Sequence, residues 1–256
     1  MATSPISIGR WSVMLCIVGI GLAGCNRPDA PGCLMRAGDW IEIQEVDIAS
    51  PEALKLHNHM NVVMETWDSA AMELVWSGPE NVLANRWVEW DGTTLELGYE
   101  DRCQWMRDLD ANVGLIIKTP GIPHIALHGQ GWFHASLLDS SSAVSIDAHA
   151  YAGYIELDCE LDSLTVRLHA GASSATAEGD VGTLLLFASG LSGVDASAVL
   201  ADRAFINQSA HPPLRFRALE YAYIELNSHS NVVGRLPKPL DYQVVRNGSG
   251  ELLWED

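Results

Sequence analysis

The chain has 256 residues, with 33 acidic against 15 basic side chains and a formal charge of −18 when histidine is neutral. Nucleic acid and anionic lipid surfaces both require a basic footprint, so this balance argues against them as partners and leaves divalent cations and basic protein surfaces open. Apolar residues make up 48% of the sequence, enough to build a sizeable core.

The chain opens with Arg10, an apolar run that begins at Trp11, and then Leu22-Ala23-Gly24-Cys25. This order looks like a bacterial lipoprotein signal, cut before Cys25 and lipidated on that thiol. The run is about a dozen residues, short of the roughly twenty that a permanent bilayer span needs. Residues 1–24 are therefore expected to be removed, and the membrane is the expected partner through lipid on Cys25. The mature chain keeps 14 basic and 33 acidic residues, a charge of −19. In the enteric sorting rule an aspartate after the lipidated cysteine retains a lipoprotein at the inner membrane. Asn26 stands there instead and points to the outer membrane.

Residues 25–38 carry Pro28, Pro31, Gly32 and Gly38 among few apolar residues and read as a tether. Residues 39–256 are expected to form one domain. Its first part alternates in short stretches, Trp40-Ile41-Glu42-Ile43, Asn61-Val62-Val63-Met64, Met72-Glu73-Leu74-Val75 and Leu95-Glu96-Leu97, which read as strands. Trp67, Trp76, Trp87, Trp90, Trp105 and Trp132 gather in this half. Core packing explains most of them. Trp87, Trp90, Trp105 and Trp132 are the candidates for a sugar- or protein-binding surface.

From about residue 140 the sequence repeats. The pairs Val144/Ile146, Leu164/Val166, Leu184/Leu186, Ala204/Ile206 and Ile224/Leu226 recur every twenty residues. A parallel column runs Ile155/Leu157, Ala175/Ala177, Val194/Ala196 and Leu214/Phe216, and a third mark falls at Leu161, Val181, Leu200 and Leu219. Ile125/Leu127 fits one register earlier, with a step of nineteen. Period-2 alternation buries one face of each strand, and a fixed repeat means each unit buries that face only by stacking on its neighbours. Strands recurring once per turn run parallel, and parallel crossovers are strongly right-handed. The expected fold is all-β: a right-handed parallel β-helix, or β-solenoid, with about 20 residues per coil. Unpaired edges at the two ends invite aggregation, so residues 40–60 and 235–256 are expected to cover them.

Several polar clusters offer chemistry. His149 and His169 lie one step apart, with His229 three steps beyond, and imidazoles stacked on adjacent coils suit zinc or copper. A polar join that tolerates histidine is the ordinary alternative. His57 and His59 share a strand face at i, i+2 and could also bind metal, though no third ligand is identifiable. Asp147, Glu156, Asp158, Glu160 and Asp162 form an acidic stretch that could hold calcium or simply face solvent. Beyond Cys16 in the signal and Cys25, three cysteines remain: Cys33 and Cys103 are the candidate bridge, and Cys159 reads as a small buried residue. No Gly-x-Ser-x-Gly, Walker loop, dinucleotide-binding glycine motif or His-Glu-x-x-His occurs, so neither catalytic residues nor a cofactor are expected. A β-helix polysaccharide lyase is the enzymatic alternative. It would need clustered carboxylates on calcium and a basic residue such as Arg167 or Arg203.

The order of several short elements resembles one bacterial family, described as "putative auto-transporter adhesin, head GIN domain". The matching elements are Ala53-Leu54-Lys55-Leu56, Asn61-Val62-Val63-Met64, Glu80-Asn81-Val82-Leu83, Asp91-Gly92-Thr93-Thr94-Leu95 and Thr119-Pro120-Gly121-Ile122 running on to Leu127-His128-Gly129-Gln130-Gly131. Eroded glycine-serine joins follow at 170–173 and 189–193, then Asn231-Val232-Val233-Gly234 and Pro237. The resemblance covers roughly residues 48–240. It implies an envelope-associated β-helical domain and brings no catalytic residues with it. The expected function is a lipid-anchored envelope protein, free of catalysis, whose flat coil surface binds protein or carbohydrate or acts as a spacer. A carbohydrate-active enzyme and a metal-binding envelope protein are the alternatives.

Overall fold

The computed structural model describes residues 38–100 and 112–256; Cys16, Cys25, Cys33, Cys103 and Trp105 lie outside them. Fourteen strands of the described residues join one sheet that coils into a parallel β-solenoid of the expected repeat. The central coils come from β8 (His124–Gly171), β9 (Ser174–Gly190), β10 (Gly193–Ala210) and β11 (Leu214–Leu226). The columns stack as the repeat requires. Leu164 pairs Leu184 and Val166 pairs Leu186 between β8 and β9. Leu184 then pairs Ala204 and Leu186 pairs Ile206 between β9 and β10. All six are buried.

The register departs from strict twenties in three places. Between β10 and β11 the step shrinks to eighteen, so that Ile206 meets Ile224 rather than Leu226 standing over it. At the start of β8 it lengthens to twenty-one: His128 stacks on His149, where a step of nineteen from Ile125 to Val144 is expected. The third mark is carried by Val181, Ala201 and Ala218, not by Leu200 and Leu219. A corner absorbs an added or missing residue without disturbing the pleat, whereas a slip within a strand would turn every side chain to the wrong face.

One corner of the coil is built from left-handed residues in a column. Asn58 (φ 70°), Gly129 (98°), Ala150 (50°), Ala170 (43°) and Gly190 (68°) each follow the last outward residue of one strand. A Cβ on Gly129 would lie 2.3 Å from the carbonyl oxygen of Asn58, so the corner also needs the absent side chain for close coil approach.

The N-terminal end is stacked out of sequence order. β2 (Ala53–Leu56) and β3 (His59–Thr66) form a coil that pairs with β8 on one side. On its other side lie β6 (Thr94–Tyr99) and β7 (Val113–Thr119), also parallel. Residues 53–60 are therefore inside the stack, which corrects the expectation that 40–60 form a cap. The cap is antiparallel. β4 (Ala71–Pro79) runs against β7, β1 (Trp40–Ala49) against β4, and β5 (Arg86–Asp91) against β6. One helical turn, α1 (Glu80–Leu83), tucks Val82 and Leu83 into the core between β4 and β5. At the other end, 235–256 supply the last coil rather than a separate cover: β13 (Asp241–Arg246) pairs β11, and β14 (Leu252–Glu255) pairs β12 (Val232–Arg235), both parallel. Trp254 closes that end against Phe216 and Tyr242, with the Lys238 ammonium 5.5 Å from its ring.

Candidate functional site

Because alternate residues of a strand point outward, the face opposite each buried pair presents a fixed set of side chains in rows. Along the sheet of β6, β2, β8, β9, β10 and β11 those rows run Glu96, Lys55-His57, His128, Ser145-Asp147-His149, Thr165-Arg167-His169, Leu185-Phe187-Ser189, Phe205-Asn207-Ser209 and Tyr223-Glu225-Asn227. The first half of this face is charged and rich in imidazole. The second half is aromatic.

Four histidines stack on successive coils along one edge. Ring centroids are 5.3 Å apart for His57 and His128, 5.4 Å for His128 and His149, and 4.6 Å for His149 and His169, with interplanar angles of 14°, 15° and 4°. Trp87 closes the ladder at His57 (5.3 Å) and Phe187 at His169 (5.1 Å). These spacings approach the 4.7–4.9 Å between neighbouring strands, so the ladder follows directly from the coil geometry. Burial, then the neighbouring His57 and His149, hold the His128 imidazole below its usual pKa. Beyond the histidines, Asn227 on the same edge donates Nδ2 to Asn207 Oδ1 of the adjoining column (3.1 Å), and Asn247 Nδ2 donates to Asn227 Oδ1 (2.7 Å).

Two ion networks brace the charged half. Glu96 accepts from Lys55 Nζ at 2.9 Å, and its other oxygen lies 2.9 Å from His57 Nε2. The Lys55 hydrogen bond is the largest influence holding the Glu96 carboxyl below its usual range. Asp147 takes Arg167 through both oxygens, Nε at 2.7 Å and Nη2 at 3.2 Å, and also faces His169 Nε2 at 3.4 Å. In the aromatic half, Leu185, Phe187, Phe205 and Tyr223 line an open groove of about 300 Å³, rimmed by Arg167, Asn207 and Glu225.

The other sequence candidates scatter. His229 is off the ladder, because the eighteen-residue step carries it past the column; it meets His211 edge-on at 4.9 Å. Asn58 turns the corner between His57, just past the end of β2, and His59, the first residue of β3, so the two do not share a strand face. Trp87 packs over Gly98 and His57. Trp90 is exposed on β5, and Trp132 stacks on His134 in another wall of the coil, so Trp87, Trp90 and Trp132 make no common surface. Of the acidic stretch, Asp147 belongs to the histidine face. Glu156 and Asp158 border a separate groove with His134, Glu178 and Asp195. Arg203 lies 3.9 Å from Glu220 and stands apart from Arg167. Cys159 is buried, its thiol donates to the Glu178 carbonyl at 3.1 Å, and burial pushes its pKa up to about 12. Sequence reasoning missed His128 and set His57 beside His59 rather than in the ladder. The available signal is the dipeptide: His57-Asn58, His128-Gly129, His149-Ala150 and His169-Ala170 each put histidine before a left-handed corner.

A parallel solenoid with an antiparallel cap, bearing one long exposed face, defines the class of protein. Over residues 50–234 the sequence matches the family described as "Putative auto-transporter adhesin, head GIN domain", and the chain belongs to that family. Among solved structures it is similar in fold to a "putative adhesin" from Bacteroides fragilis, with a TM-score of 0.70 at 14% identity over 86% of this chain and 100% of that one. A "putative adhesin" from Parabacteroides merdae (0.59, 14%, 85% and 98%) shares the fold. So does a "putative lipid binding protein" from Parabacteroides distasonis (0.57, 14%, 86% and 98%). Comparison with curated proteins gives no match. No helix among the described residues is long and apolar enough to cross a membrane.

Proposed function

We propose that this chain is a lipid-anchored envelope protein, held by Cys25 in the outer membrane, that binds a ligand on its solenoid face without catalysing a reaction. The observation that carries the reading is the open aromatic groove: Phe187, Phe205 and Tyr223 recur from coil to coil, with Arg167, Asn207 and Glu225 beside them. Flat apolar rings edged by hydrogen-bonding groups suit the faces and hydroxyls of sugar rings, so the ligand class is an envelope or host glycan. Membership of an adhesin-described family supports an envelope or surface setting. The lyase alternative has weaker support. The guanidinium of Arg167 is committed to Asp147, and Glu156 and Asp158 border a separate groove.

The test is glycan-array binding by the full-length protein beside Phe205→Ala and Tyr223→Ala. Retained glycans should lose at least about tenfold in affinity in both variants. Binding that ignores both substitutions refutes the groove, and unsaturated sugar products released in the presence of calcium refute the absence of catalysis. Cell fractionation of Cys25→Ser should move the protein from the membrane pellet to the soluble fraction. Retention in the pellet refutes the anchor.

A further inference from the structure

We propose that Asp147, His149 and His169 bind a divalent transition-metal ion of the zinc or copper class. Each offers one donor atom, and the three donors all lie within 4.8 Å of one another. The His169 Nε2 to Asp147 Oδ1 distance is 3.4 Å. Metal bonds near 2.0–2.1 Å in a tetrahedron place neighbouring donors about 3.4 Å apart, so one edge of the polyhedron already has its length. The His149 donor lies within 4.8 Å of the other two, so a small tilt of this exposed ring within its stack closes the remaining gap.

The supporting contacts are those that hold a metal ligand in place. Ser145 Oγ donates to Asp147 Oδ2 at 3.1 Å and receives Arg167 Nη2 at 2.8 Å, while Arg167 Nε fixes Oδ1. The carboxylate plane is thereby set before any ion arrives, as outer partners set ligating carboxylates in metalloproteins. His149 lies between the rings of His128 and His169, which limits its sideways freedom. Two imidazoles and one carboxylate select zinc or copper over calcium and magnesium, which favour oxygen. Three protein donors leave one position for water or an anionic ligand group. The Arg167 guanidinium opposes the incoming charge and limits affinity, while the protein's charge of −18 works the other way. The site is independent of the groove reading: it lies in the charged half of the face and none of its three donors lines the groove.

The experiment is calorimetric titration of tag-free, chelator-treated full-length protein with Zn²⁺ and Cu²⁺ at neutral pH, with electron paramagnetic resonance of the Cu²⁺ form. Near-stoichiometric binding and hyperfine coupling from two imidazole nitrogens are expected. His149→Ala, His169→Gln and Asp147→Asn should each weaken binding at least about tenfold, the size that loss of a metal-site partner typically brings. His229→Ala should bind as the parent does. Circular dichroism of each variant confirms the fold, and His169→Gln keeps a side chain of similar reach where alanine disturbs the ladder. Absence of binding in the parent, or equal affinity in parent and His169→Gln, overturns the proposal.

Discussion

Leu184 and Leu185 are adjacent in sequence, alike in chemistry, and opposite in fate. Leu184 is fully buried between Leu164 on one neighbouring coil and Ala204 on the other, whereas Leu185 is 36% exposed on the outer face. Truncating Leu184 to alanine leaves a hole flanked by another alanine, between coils whose spacing is fixed by continuous hydrogen-bond ladders. The site cannot collapse, so Leu184→Ala should cost about 3–4 kcal/mol. For a domain of this size about 1 kcal/mol moves the melting temperature by roughly 2–4 °C, so the expected drop is about 6–16 °C. Leu185→Ala removes a half-exposed side chain and should stay within about 0.5 kcal/mol. Far-UV circular dichroism melts of the two variants and the parent decide the matter. Equal shifts, or a larger loss at Leu185, would place the wrong column inside and refute the register on which the face, the ladder and the groove depend.

Other outcomes follow from the same geometry. Ala150 and Ala170 hold left-handed backbone at the corner, so Ala150→Gly and Ala170→Gly should each raise stability by about 0.5–1 kcal/mol, measured by urea unfolding. Burial keeps His128 neutral in the fold at pH values where the unfolded chain takes up a proton. Its contribution is therefore present above about pH 6.5 and fades as pH falls below it. Melts from pH 7.5 to 5 should show a steeper acid loss in the parent than in His128→Asn, and parallel curves would contradict this. Truncation after Gly234 removes β13 and β14 and bares the edges of β11 and β12. Gel filtration should then show oligomers, and a monomeric soluble truncation would speak against edge protection by the last coil.

Much of the fold was legible because a solenoid writes its tertiary structure into local sequence. Each strand shows which face is buried through period-2 alternation, and the repeat length gives the coil circumference, so Leu164, Leu184 and Ala204 declare their column without any long-range information. Leu200 and Leu219 were misassigned for the same reason: hydrophobicity cannot tell which of Leu200 and Ala201 turns inward at a corner. The two-residue contraction before Ile224 likewise leaves the alternation intact and shows only in the pairing.

The sequence by itself determined the strand content, the inward columns and the coil repeat, because these rest on near-neighbour periodicity. Only the tertiary structure decided the stacking order at the N-terminal end, where β6 and β7 slip between the cap and the coil of β2 and β3. That order brings His57 to His128 across seventy-one residues and completes the histidine ladder. The choice depends on which strand edges find partners in space, and hydrogen-bonding edges leave no periodic mark on the side chains that carry them.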